Sequence, residues 1–301
     1  MKILILGSEG FIGNHLVRHF LYKNDLVWGC DLFETPASSY SYRKISRLSP
    51  ELDELFALES FDTCINAAGS GNVNYSMTHP FSDFEANSLD TMRVLDCIRR
   101  LQPACRYIHI SSAAVYGNPE KLPVQEDDRK RPLSPYGWHK LISENICSEY
   151  STIYGLKTVA IRPFSVYGPG LRKQLFWDIY RKTVGLNGKE IELWGTGRES
   201  RDFIYIDDLV RCIALLIEKA PMDGEVYNIA SGEEVTIAEI AALFCKSVNP
   251  SLAIQFNQKV REGDPLNWRA DISKIALLGY RQSIDIQTGV NKLAEWIRNQ
   301  N

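Results

Sequence analysis

The sequence predicts an α/β fold, a doubly wound parallel sheet followed by a smaller C-terminal domain. Three observations carry this. Short apolar runs alternate with amphipathic segments along the first two thirds of the chain, the pattern of parallel strands joined by crossover helices. A glycine-rich turn lies between the first such run and the first amphipathic segment. An acidic residue closes the second run.

The elements follow in order. Lys2-Ile3-Leu4-Ile5-Leu6 is too short for a helix and reads as a buried strand. Gly7-Ser8-Glu9-Gly10-Phe11-Ile12-Gly13 follows, then a helix with Ile12, Leu16, Val17, Phe20 and Leu21 on one face. Glycines at such a turn let the backbone approach a pyrophosphate, and the helix N-terminus offers it free N–H groups. The second strand, Leu26 to Cys30, ends at Asp31, about 20 residues on, where this arrangement holds an adenosine ribose. A carboxylate there accepts from both ribose hydroxyls and repels a 2′-phosphate. Leu32, Phe33 and Glu34 supply no arginine to receive that phosphate, so NAD is expected over NADP.

Phe61 to Asn66 reads as a strand, Asn87 to Leu101 as a helix, and Arg106 to Ser111 as a further strand. A helix from Tyr136 to Tyr154 and the strand Thr158 to Arg162 complete the run, and Pro169-Gly170 marks the departure into the smaller domain. Tyr136-Gly-Trp-His-Lys140 places a phenol and an ammonium on one helical face, downstream of the strand-end hydroxyl of Ser112. Such a trio can move a proton on and off an alcohol oxygen. A tyrosine near pKa 10 must lose roughly 4 kcal/mol of proton affinity to act near neutrality. A nearby lysine and a cationic nicotinamide supply a field of the right sign.

These residues resemble the extended short-chain dehydrogenase/reductases, specifically the NAD-dependent nucleotide-sugar epimerase/dehydratase family that includes the UDP-glucose 4-epimerases. The resemblance runs from Met1 to about Trp296. It rests on Gly7-x-x-Gly10-x-x-Gly13, Asn66-Ala67-Ala68-Gly69, Ser111-Ser112-Ala113-Ala114-Val115-Tyr116-Gly117, Arg162-Pro163-Phe164-Ser165-Val166-Tyr167-Gly168, and Trp194 through Phe203. Arg261-Glu262-Gly263-Asp264 and the closing Ala270-Asp271 segment add to it.

The resemblance implies a Rossmann cofactor domain over 1–170 with returning segments about 203–231, and a nucleotide-sugar-binding domain from about 171–202 and 232–301. It implies Ser112, Tyr136 and Lys140 as the catalytic set. Gly7, Gly10, Phe11, Ile12, Gly13, Asp31, Ala67, Ala68, Asn87, Tyr136 and Lys140 would hold NAD. Ser112, Trp194, Arg201 and Arg261 would meet the substrate, the two arginines clamping its diphosphate through forked bonds. It further implies a homodimer through the helices Asn87–Leu101 and Tyr136–Tyr154. The second of these carries Trp138, Leu141, Ile142, Ile146 and Tyr150, more apolar surface than one face against a sheet requires.

Departures from the family pattern narrow the chemistry. Ser165 stands for an asparagine, Asp90 for a glycine, and Ser46-Arg47 for an aspartate near adenine. Ala113 and Ala114 occupy the places where a 4,6-dehydratase carries an acid pair, so that elimination is not expected. The reading is an epimerase working through a 4-keto sugar. The alternatives are a 4-keto-6-deoxy nucleotide-sugar reductase and a non-catalytic dinucleotide sensor.

Composition excludes other classes. With 301 residues, 45% hydrophobic and 24% charged, and a formal net charge of −3, the chain has the balance of an ordinary soluble protein. Its one basic cluster, Arg129-Lys130-Arg131, follows Glu126-Asp127-Asp128, so no nucleic-acid partner is expected. A strand beginning at Lys2 and the lack of a long apolar run predict neither signal peptide nor membrane span. Seven scattered cysteines without a Cys-x-x-Cys pair fit reduced thiols in the cytoplasm. His15 and His19 lack the glutamate of a metal-hydrolase motif, and no metal is expected.

Overall fold

A computed structural model describes residues 1–34, 39–46, 51–183, 190–259, 263 and 265–300. The chain opens as β1 (Lys2–Leu6), α1 (Phe11–Tyr22), β2 (Leu26–Asp31), β3 (Ser41–Lys44), α2 (Glu51–Leu58) and β4 (Thr63–Asn66). Two short helices, α3 (Val73–Thr78) and α4 (Pro80–Phe84), precede a π-helical turn at Glu85–Leu89 and α5 (Asp90–Leu101). Then come β5 (Arg106–Ile110), a 3₁₀ turn at Ala113–Val115, α6 (Pro135–Tyr154), β6 (Thr158–Pro163) and β7 (Ser165–Tyr167). The rest is α7 (Gln174–Thr183), β8 (Glu190–Leu193), β9 (Ser200–Arg201), β10 (Phe203–Tyr205), α8 (Ile206–Lys219), β11 (Asp223–Ile229), β12 (Val235–Thr236), α9 (Ile237–Val248), β13 (Ala253–Phe256), α10 (Ser273–Leu277) and α11 (Ile286–Arg298).

Seven strands form one parallel sheet in the order β11-β6-β5-β4-β1-β2-β3. Alternation along β1 shows why both faces must be covered. Ile3 and Ile5 enter a core shared with Leu16, Val17 and Phe20 of α1, whereas Leu4 and Leu6 enter one shared with Leu55, Val94, Leu95 and Ile146. The strand order reverses between β1 and β4, which opens a crevice at their carboxyl ends. The loops after those two strands are the ones that carry Gly7–Gly13 and Ala67–Gly69.

Two expected elements change form. The strand expected from Phe61 begins at Thr63, and the helix expected from Asn87 has its first residues in the π-helical turn. Helix α6 starts and stops on local chemistry. Ser134 caps it by accepting from the Gly137 N–H, Pro135 opens the first turn, and Gly155 ends it with φ +66°.

The C-terminal elements do not form a separate core. Phe176 and Ile179 of α7, Phe244 of α9, and Val290 and Leu293 of α11 belong to the same hydrophobic cluster as β1 and α1. At this junction Asp202, fully buried, accepts from the Ser231 N–H and hydroxyl and from the Gly232 and Ala270 N–H groups. Strands β8 and β13 pair in parallel, and β9 pairs with β12 antiparallel. All seven cysteines are buried and unpaired with one another. Among the described residues no helix is long and apolar enough to cross a membrane, and no cluster of three or more His, Cys, Asp or Glu could hold a metal ion.

Candidate active site

A cavity of about 700 Å³ occupies the crevice at the sheet's switch point. Gly7, Gly10 and Asp31 line one side, Ala67, Ala68 and Gly69 the other, with Ile45, Leu52 and Val94 at one end. The first glycine loop is held by its own backbone: Gly7 N–H donates to Cys30 O at 2.7 Å and Gly10 N–H to Gly7 O at 3.1 Å. Gly7 has φ +77°, and a side-chain carbon there would lie 2.7 Å from Ala68 N. Only glycine lets β1 and β4 end this close together.

No side chain caps the N-terminus of α1 at Gly10, so the first-turn N–H groups of Phe11, Ile12 and Gly13 are left to face an anion. Asp31 is fixed by two donors, the Glu9 N–H at 3.1 Å and the Leu32 N–H at 2.7 Å. Asn87 is buried in the π-helical turn. Its side-chain N–H donates to Asp83 O, while its Oδ1, against Gly69, has no hydrogen-bond partner among the described residues. A glycine cradle, an uncapped helix start, an anchored carboxylate and an orphaned amide oxygen suit a dinucleotide, and the cavity size falls in the range of cofactor sites.

Ser112, Tyr136 and Lys140 meet at the carboxyl end of β5. Ser112 begins the 3₁₀ turn and accepts from the Ala114 N–H at 3.1 Å, and its hydroxyl lies near enough to the Tyr136 phenol to favour the ionised form. Tyr136 sits in the first turn of α6, its N–H donating to Ser76 Oγ at 3.1 Å. Lys140, 5% exposed, donates from Nζ to Ile110 O at 2.9 Å and lies 6.0 Å from the Tyr136 ring centroid. Burial pushes the Tyr136 phenol up, and the neighbouring Ser112 hydroxyl opposes this. Burial lowers Lys140 to about 8 against the fields of Asp83 and Glu144. Ala113 and Ala114 put no titratable group beside the serine.

The substrate-side residues are more dispersed. Arg201 donates from Nη1 to Ser200 O and Leu266 O and stands 5.5 Å from the Trp268 ring. Trp194 is 46% exposed on the turn after β8. Arg261 lies outside the described residues.

Two groups beside the site carry no sequence signal. Glu144, two turns along α6 from Tyr136, forms a buried ion pair with Arg162. Asp83, fully buried on α4, accepts from His139 Nδ1 at 2.6 Å. Neither spacing matches a motif, because the partners come from elements that only the fold brings together.

A model of the NAD dependent epimerase/dehydratase family matches residues 3–230. YtcB of Bacillus subtilis, described as an uncharacterized UDP-glucose epimerase, is 31% identical over 98% of this chain and 97% of its own. UDP-glucuronate 4-epimerase 4 of Arabidopsis thaliana is 28% identical over 98% of this chain and 75% of its own. Among solved structures, UDP-glucuronic acid 4-epimerase from Bacillus cereus in complex with UDP-glucuronic acid and NAD aligns over all of both chains, with a TM-score of 0.90 and 29% identity. The UDP-glucose 4-epimerase of Thermus thermophilus in complex with NAD gives 0.89 and 25%, covering 99% of each chain. The chain therefore belongs to the NAD dependent epimerase/dehydratase family and is an NAD-dependent enzyme of the nucleotide-sugar epimerase/dehydratase kind.

Proposed function

We propose that the protein is a UDP-sugar 4-epimerase that uses Ser112, Tyr136 and Lys140 for proton transfer at the sugar C4 oxygen. The observation that carries this is the trio itself: a phenol at the Ser112 turn, with a buried lysine on the same helical face 6.0 Å from the phenol ring centroid. The absence of acid groups at Ala113 and Ala114 speaks for epimerisation over dehydration. UDP as the carrier is supported by the UDP-sugar complexes of the similar enzymes.

NAD, when bound, takes a hydride from C4 and returns it. Gly7, Gly10 and Gly13, with the Phe11 and Ile12 N–H groups, would hold its pyrophosphate, Asp31 its adenosine ribose, and Asn87, Ala67 and Ala68 the opposite side of the cleft. Tyr136, as phenolate, removes the C4 hydroxyl proton while C4 becomes a ketone. Ser112 hydrogen-bonds the same oxygen and fixes its distance from the phenol. Lys140 stabilises the phenolate by its charge. The keto sugar then turns within the cleft, and Tyr136 returns the proton to an oxygen of opposite configuration. Arg201, Trp194 and, outside the described residues, Arg261 would hold the nucleotide while the sugar turns.

The test is proton NMR of UDP-glucuronic acid and UDP-glucose incubated with the NAD-loaded protein. A C4 epimer forming without net change in cofactor absorbance is expected. Stoichiometric oxidation of added NADH or NADPH on a 4-keto-6-deoxy nucleotide sugar, with no epimer from either UDP-sugar, would make it a reductase instead.

A further inference from the structure

The two loops that face each other across the cofactor crevice bring no positive side chain to it. Neither Gly7–Gly13 nor residues 67–72 contain a lysine or arginine, and the first carries Glu9. Arg93 and Arg100, which also line the cavity, are already paired, Arg93 with Asp90 and Arg100 with Asp53. A pyrophosphate held between the loops carries two negative charges. The N–H groups at the start of α1 answer these only with partial charges.

A third segment supplies a cation. The chain leaving β7 is pinned to the first turns of α1: His15 Nε2 and Pro169 O are 2.8 Å apart, and a side-chain carbon at Gly170 would lie 3.6 Å from the Phe11 ring. Three residues later the chain has reached the opposite lip. A side-chain carbon at Gly71 would lie 3.6 Å from Lys173 Nζ, and Gly71 adjoins Ser70, which lines the cavity. Residues 169–173 therefore span the crevice from the α1 side to the β4 side. Gln174, the next residue, has φ +65°, a left-handed conformation uncommon outside glycine and concentrated where a turn serves a site.

Lys173 is in contact with water and has no hydrogen bond or ion pair among the described residues. Burial by the surrounding protein nonetheless lowers its pKa, and no charged group contributes to that shift. An ammonium reached by solvent, hemmed by protein and without a carboxylate beside it lies in an open cleft, not on a convex surface.

We propose that Lys173 is a cationic clasp over the pyrophosphate of NAD, closing the crevice between the first turn of α1 and the loop after β4. Its charge offsets the repulsion that Glu9 and Asp31 exert on the phosphates, and its flexible stem lets the cofactor enter before the contact forms. Such a contact favours retention of the cofactor through a turnover that consumes none of it. The inference rests on the placement of the pyrophosphate at the glycine loop, and it is independent of which sugar is turned over.

The substrate diphosphate is the other anion within reach of this cleft, and calorimetry separates the two. NAD is titrated into nucleotide-free protein, and UDP into NAD-saturated protein. Lys173→Gln should weaken NAD about tenfold, the worth of one charge-assisted contact, and weaken UDP by less than about twofold. ADP-ribose, which carries the diphosphate without the nicotinamide, should lose as much as NAD. The deficit should shrink as salt is raised, because the contact is between charges; a merely structural side chain would show no such response. Lys173→Arg keeps the charge and should hold NAD within about threefold of the unaltered protein. Unchanged NAD affinity in Lys173→Gln overturns the clasp. A loss for UDP as large as that for NAD overturns it as well and moves the ammonium to the substrate side. Gly10→Val is the control on the placement, since it puts a branched side chain at the start of α1. If NAD binds that variant normally, the placement of the pyrophosphate fails; if NAD is lost there and Lys173→Gln binds it normally, only the clasp fails.

Discussion

Arg162 and Glu144 meet in a two-point ion pair, Nε to Oε1 at 2.9 Å and Nη2 to Oε2 at 2.7 Å, with both side chains less than 5% exposed. The remaining nitrogen, Nη1, donates to the Tyr116 hydroxyl and to Glu126 O. Tyr116 in turn donates to Asn228 Oδ1. One guanidinium thus ties β6 to α6, to the segment after the serine turn and to β11. Removing one partner leaves the other charged and buried, so Glu144→Gln should cost about 3–5 kcal/mol in urea unfolding. The exposed pair Lys182–Asp178 is the control: Asp178→Ala should cost no more than about 0.5 kcal/mol. Equal effects would show that the buried pair is not what holds these elements.

Cofactor choice follows from Asp31. Its two backbone donors fix the carboxylate beside the glycine loop, where it can accept from ribose hydroxyls and repel a phosphate. Fluorescence titration should show tighter binding of NAD than NADP. Asp31→Ala should weaken NAD by about tenfold, in line with loss of a hydrogen bond to a charged group, and narrow the gap to NADP. NADP binding as tightly as NAD to the unaltered protein would refute the role.

Tyr136→Phe should lower turnover by about 10²–10⁴-fold, the usual worth of general acid–base catalysis, with little change in UDP-sugar affinity. Because Lys140 lies near 8, activity should decline as pH rises through that value and the ammonium is lost. A variant retaining more than about a tenth of the normal rate would remove Tyr136 from the proton transfer.

Arg201 is braced by Ser200 O and Leu266 O and packs by Trp268, a pre-set guanidinium at the edge of the smaller part of the chain. If it meets the substrate diphosphate, Arg201→Ala should weaken UDP binding by about 1.5–3 kcal/mol. Unchanged UDP affinity by calorimetry would reject the contact.

What could be read in advance from the chain was local. The β1–glycine loop–α1 unit, the end of β2 at Asp31, and the Tyr136–Lys140 face each lie within one contiguous stretch whose period or spacing is diagnostic. The π-helical turn was hidden, because Glu85–Leu89 has an ordinary helical composition and its shape depends on packing against α6, where Ser143 donates to Asn87 O. Asp83 with His139 and Glu144 with Arg162 were hidden for a related reason. A buried charge reads as a surface charge until the partner element is in place. The apolar excess expected on α6 was also partly misread, since Ile146 and Tyr150 are buried within the chain beneath α5 and β5.

What remains of that excess still argues for a dimer. Trp138 is 51% exposed on α6, and Met92 is 39% exposed on the adjacent α5. Phe81 on α4, at 72%, extends the apolar surface beside them. Large apolar side chains on neighbouring helices are costly to leave in water, at roughly 25 cal/mol per Å² of apolar surface. A two-fold pairing of α5 and α6 with a second copy would cover the same patch on both subunits. Light scattering at concentrations well above micromolar should give about twice the 34.2 kDa chain mass. Trp138→Asp should shift that mass toward one chain while cooperative unfolding is retained, because the side chain contributes little to the core of its own subunit. A mass of 34.2 kDa for the unaltered protein would show that this surface stays in water.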